Sequence, residues 1–92
     1  MKEIERKATL DLIAVLELYL AEGLSEPVKE KAKAVYDTYH PGSALLSEFV
    51  MEAVGRLFPI AYSKANSGIK PLTKKQAEKL LGLLKKAAEE MP

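Results

Sequence analysis

The stretch from Ile4 to Leu20 leaves this chain little choice of fold. Ile4, Ala8, Leu12, Val15, Leu16 and Tyr19 recur at helical spacing. Leu10, Ile13, Leu18 and Leu20 are apolar as well. At about 100° per residue, only a narrow stripe through Glu3, Lys7, Asp11 and Glu17 stays charged. A helix apolar most of the way round must be covered on more than one side. In a chain of 92 residues, that makes it a central helix or part of a subunit interface. Gly23 stands where a left-handed residue closes a helix, which sets the span at about residues 2–22.

The remaining punctuation is also helical. Ser25 suits an N-cap and Pro27 a first turn, where proline's missing N–H costs nothing. Val28, Ala32, Val35, Tyr36 and Tyr39 form one stripe, ended by the turn His40-Pro41-Gly42, so the second helix spans about 26–39. Ser43 is the expected cap of a third helix over about 44–58. There Leu45, Leu46, Phe49, Val50, Ala53, Val54, Leu57 and Phe58 cover over half the circumference, and Glu48 and Glu52 mark the exposed edge. A proline inside a helix costs about 3 kcal/mol, so Pro59 is expected to open a separate short helix of about 59–66. Asn66-Ser67-Gly68 closes it and Ile69 follows the cap. Leu72-Thr73-x-x-Gln76 is a capping box, with Leu72 and Ala77 placed for a hydrophobic staple. It opens the last helix, about 74–91, amphipathic through Ala77, Leu80, Leu81, Leu84, Ala87, Ala88 and Met91. No run alternates with period two and no Asn-Gly or Asp-Gly hairpin turn occurs. The expected fold is all-α: one domain over 1–92, a compact bundle of four main helices plus one short one.

Composition narrows the function more than it identifies one. Apolar residues make up 48% and charged residues 29%, which excludes a disordered acidic or basic tail. The absence of cysteine excludes a disulfide scaffold and a thiolate zinc site. His40 is the single histidine, so no histidine pair can form a metal site or relay. The longest uncharged apolar stretch, Leu12 to Leu16, is too short to span a bilayer, and the first residues lack the apolar core of a signal peptide. The expectation is a cytoplasmic protein with no membrane association, no metal and no cofactor. Abundant Glu and Lys beside a single Asn66 and a single Gln76 form a thermophile-like bias.

No catalytic constellation is visible, and the chain is expected not to be an enzyme. His40 reads as a helix-end residue bonding the last carbonyls rather than a general base. Glu48 and Glu52 read as a solvated edge rather than a cation site, since no Glu-x-x-His accompanies them. The five glycines are scattered and spell no phosphate loop. Gly82, inside the last helix and opposite its leucine stripe, is either a tolerated surface residue or a point where another backbone comes close.

Charge supplies the better lead. The net charge of +1 resolves into −4 over residues 1–55 (six Lys/Arg, ten Asp/Glu) and +5 over residues 56–92 (eight against three). Lys75, Lys79 and Lys86 share one outward stripe, which Lys70, Lys74, Lys64 and Arg56 extend. Candidate contacts to nucleic acid or another anion are Lys70, Lys74, Lys75, Lys79 and Lys86. Against that reading, Glu78, Glu89 and Glu90 interrupt the stripe and no aromatic lies between the lysines to stack on bases. A helix-turn-helix made of helices two and three fails, because helix three offers a groove only apolar and acidic side chains. The apolar excess points instead to a non-enzymatic helical interaction or assembly module, acting through a homodimer or a protein partner. Its candidate interface is Leu10, Ile13, Leu20, Phe58, Ile60 and Tyr62, with acidic front and basic back complementary in an antiparallel pair.

Overall fold

In a computed structural model of the protein, the 21-residue helix α1 (Lys2–Glu22) is the wall against which the other main helices pack. Residues 2–39, 46–62, 68 and 70–90 are described. The expectations placed on His40, Pro41, Gly42, Ser43, Leu45, Lys64, Asn66, Ser67, Ile69 and Met91 lie outside them. After α1 come α2 (Glu26–Tyr39), α3 (Glu48–Gly55), the four-residue α4 (Phe58–Ala61) and α5 (Lys74–Glu90). All the described regular structure is helical, as expected. No helix among the described residues is long and apolar enough to cross a membrane.

The ends of α1 and α2 obey the local rules. Gly23 takes φ 73°, and its N–H donates to the Tyr19 carbonyl at 2.7 Å, closing α1. Ser25 Oγ accepts from Val28 N–H at 3.4 Å and donates to Glu22 Oε1 at 2.8 Å, which opens α2 against the end of α1. At the start of α5 the capping box is reciprocal. Gln76 N–H donates to Thr73 Oγ1 at 3.1 Å, and Thr73 N–H donates to Gln76 Oε1 at 3.0 Å. Leu72 and Ala77 are both buried, as a staple at that position would be.

The third helix is shorter than expected, and both ends have physical causes. Its N-cap is Ser47, with extended φ −66° and ψ 158° and a side chain that accepts from Val50 N–H at 3.3 Å. Ser47 N–H in turn donates to Glu5 Oε1 at 3.0 Å, so α1 fixes where α3 begins. The helix therefore starts at Glu48, not at about residue 44. At the other end, Arg56 N–H is shared between the Glu52 and Ala53 carbonyls, and Leu57 N–H donates to Val54 at 3.0 Å. The turn tightens before proline, which has no N–H to continue the ladder. Pro59 then sits in the first turn of α4, in the role expected of it, although α4 spans Phe58–Ala61 rather than 59–66.

The core is one cluster. Ala8, Leu12, Val15 and Leu16 of α1 meet Val28, Ala32 and Val35 of α2, Val50 and Val54 of α3, Ile60 of α4, and Ala77 and Leu84 of α5. α1 contacts α2, α3 and α5 within one chain, which is the central-helix solution to its apolar excess. Thr9 is fully buried among these side chains, with its hydroxyl donating to the Glu5 carbonyl of its own helix at 2.8 Å. Tyrosine hydroxyls then tie the elements together. Tyr19 donates to the Leu72 carbonyl at 2.7 Å, Tyr39 to Asp11 Oδ2 at 2.8 Å, and Tyr62 to Asp37 Oδ1 at 2.7 Å. Asp11 thus turns away from the solvated stripe assigned to it and serves the α1–α2 contact.

Burial, with the Asp11 carboxylate beside it, pushes the Tyr39 hydroxyl from 10.0 up to about 12. Its folded-state pKa lies above the unfolded one, so its contribution is complete below pH 10 and drains away as pH rises towards 12. Tyr39→Phe should cost about 1–2 kcal/mol at neutral pH, because Asp11 loses its donor in a partly buried site. The variant's urea-unfolding stability should also fall less steeply than the parent's through that alkaline window. An unchanged alkaline slope would contradict the assignment.

Candidate interaction groove

α3 and α5 both lean on α1 but scarcely touch each other, and the gap between them is an open groove of about 310 Å³. Phe49, Ala53 and Arg56 form one wall at i, i+4 and i+7 of α3, with Glu52 beside them. Gln76, Leu80 and Leu83 form the other at i, i+4 and i+7 of α5. Leu72, held by the Tyr19 hydroxyl on its carbonyl, closes the gap near the start of α5. Beyond it a second recess of about 380 Å³ shares Arg56, Leu72 and Gln76 and adds Pro59, Lys70 and Pro71. The two walls carry the large apolar side chains the fold leaves most open here, Phe49 at 38% and Leu83 at 47% exposure.

The charged groups around this groove are unequal. Arg56, Lys70 and Lys79 line the two recesses, against the single carboxylate of Glu52. Glu52 Oε1 lies 3.7 Å from Arg56 Nη2, an exposed i,i+4 pair of the kind worth little in water. Neither Lys70 nor Lys79 has a salt-bridge partner among the described residues. Lys74, Lys75 and Lys86 are also exposed. Of the five lysines singled out from the sequence, the structure therefore brings Lys79 to the groove and Lys70 to the adjoining recess. Lys75 and Lys86 lie on the outward face of α5.

The proposed apolar interface does not form one exposed patch. Leu10 is 46% exposed on α1, but Ile13 and Leu20 pack against the core. Ile60 is fully buried, because α4 turns it into the core against α2, and it is corrected from an interface candidate to a core residue. Phe58 and Tyr62 join Tyr36 in a cluster with ring centroids 5.2–5.9 Å apart, and Lys33 Nζ sits 5.7 Å from the Tyr62 ring. These rings pack against one another in tilted and edge-on arrangements.

Sequence reasoning missed Phe49 and Leu83 as surface residues. Phe49 is one of eight apolar residues spread over more than half the circumference of helix three, so periodicity does not mark it as exposed. Leu83 carried a usable signal: it is offset by about 100° from its neighbour Leu84 and falls outside the apolar stripe of the last helix. Gly82 turns out to be the tolerated surface residue, since a Cβ added there meets nothing within 4 Å. No protein-family model matches the sequence, and neither a curated protein nor a solved structure matches it.

Two substitutions test this geometry. Gly82→Ala should raise stability by about 1 kcal/mol, the helix-propensity difference undiminished by any clash. Leu83→Gln should leave stability within about 0.5 kcal/mol of the parent, as for other surface changes. Thermal and urea unfolding measure both. A large loss from Leu83→Gln would mean that Leu83 belongs to the core and the groove does not exist.

Proposed function

We propose that the chain is a non-enzymatic helical interaction module, cytoplasmic in location, which takes a protein partner or a second copy of itself into the α3–α5 groove. The observation that carries this reading is the groove itself, an open channel between two helices with Phe49 and Leu83 exposed on its facing walls. Helix-in-groove binding uses such a channel, with apolar anchors on one side of an incoming helix. The chemistry of the lining supports binding over catalysis. Its ionisable groups are exposed cations and one exposed carboxylate beside Arg56, and none is a nucleophile paired with a base.

A second reading has its own observation. Lys75, Lys79 and Lys86 are exposed along one side of α5, spaced as a phosphate-contacting stripe would be. The alternative is therefore an accessory nucleic-acid-binding protein that uses this face. The readings differ in their response to salt, because several phosphate contacts make affinity fall steeply as salt rises. Gel retardation of duplex DNA and of RNA at low salt should show no shift. Retardation that disappears with salt and with Lys75→Glu/Lys79→Glu/Lys86→Glu would replace the interaction-module reading with the alternative. Sedimentation equilibrium of the parent and Leu83→Glu at micromolar concentration reports whether a second copy fills the groove.

A further inference from the structure

Resting on that reading, we infer that the groove takes a short acidic amphipathic helix from another protein. The length follows from the walls. α3 has eight residues, which at about 1.5 Å per residue span about 12 Å, enough to seat two to three turns of a helix. Phe49 on the α3 wall and Leu83 on the α5 wall flank such a helix, with Leu80 beside Leu83 on α5 and Leu72 at the closed end. The incoming helix would therefore carry large apolar residues at i, i+4 and i+7.

Its charge follows from how this chain uses its own charges. The acidic front half commits its carboxylates to the fold. Glu5 accepts from Ser47 N–H, Asp11 from Tyr39, Glu22 from Ser25 and Asp37 from Tyr62, while Glu17 pairs with Lys85 at 3.1 Å. Around the groove the basic back half is less committed: Arg56 has an exposed pair with Glu52, whereas Lys79 in the groove and Lys70 in the adjoining recess lack salt-bridge partners among the described residues. Carboxylates on the flanks of an incoming helix would meet Lys79 on the α5 wall and Lys70 and Arg56 at the far end. Such complementarity sets which partner is accepted and how fast it associates.

A second folded copy is a poor occupant. The exposed large apolar residues among the described positions are Leu10, Leu24, Phe49, Phe58 and Leu83, and no helix carries two of them. A folded copy has therefore no helix with a row of exposed anchors to insert. Two copies joined groove to groove about a two-fold axis would also set Lys79 and Arg56 close to their own counterparts.

The test is selection of random peptides of about 12 residues, the roughly eight that the α3 wall spans plus about one further turn, from a display library against the full chain. Enriched sequences are then synthesised and measured by fluorescence polarisation. The expected winners carry apolar anchors at helical spacing and a net negative charge. Their affinity should fall about tenfold or more with Leu83→Glu, and comparably with Lys70→Glu/Lys79→Glu, as anchor and charge contacts do when removed. Leu83→Gln serves as the milder second variant, and circular dichroism confirms that all variants stay folded. Groove-dependent winners that are neutral or basic would overturn the acidic assignment and leave the interaction-module reading standing. So would a dimer that Leu83→Glu dissociates, with no groove-dependent peptide selected. A monomeric chain that selects no groove-dependent peptide would overturn both.

Discussion

The structure depends on one helix being shared. Ala8, Leu12, Val15 and Leu16 make α1 the common wall for α2, α3 and α5, and each of those helices buries its apolar stripe there. At about 25 cal/mol per Å², burial of this kind is the dominant favourable term in a chain with no cysteine to staple it. Sharing one wall has a geometric consequence. Two helices that lean on the same cylinder need not meet, and α3 and α5 scarcely do. The groove is thus produced by the arrangement that satisfies α1, and its walls are whatever α3 and α5 present on their flanks.

Directional bonds decide where on that wall each element sits. The Tyr39–Asp11 bond joins α2 to α1, Ser47 N–H on Glu5 sets the start of α3, and Tyr19 on the Leu72 carbonyl sets the approach to α5. Hydrophobic contact is non-directional and would tolerate sliding of one helix along another. These polar ties do not, because slipping by a turn would leave a partly buried hydroxyl or carboxylate without its partner. The ion pairs contribute less. Lys85–Glu17 and Arg56–Glu52 are each more than half exposed on both sides and screened by water.

What the sequence made legible was what is local. The end of α1, the start of α2 and the start of α5 follow from Gly23, Ser25 and the Thr73–Gln76 box, whose partners lie within four residues. The start of α3 did not follow, because Ser47 is favoured by Glu5 across 42 positions, a separation that no local pattern records. Ile60 failed as a surface residue for a related reason: a four-residue helix has no periodicity long enough to show which side faces in. The groove is less legible still. Phe49 and Leu83 come together only once α1 has placed α3 and α5, so their spacing in the chain carries no trace of their facing one another. The lysine-rich last helix was readable as a basic surface, but not which of its lysines stands beside an apolar channel.

The division of charge gains a physical meaning from these contacts. Over residues 1–55 the carboxylates outnumber the cations, yet several of those carboxylates are acceptors for hydroxyls, a helix N-cap or Lys85 within the fold. A carboxylate used in this way keeps its charge, but its oxygen is already occupied by a donor of its own chain. Lys74, Lys75, Lys79 and Lys86 are exposed on α5, whose buried residues are Ala77 and Leu84. The chain is therefore nearly neutral in total and basic in what it offers a partner around the groove.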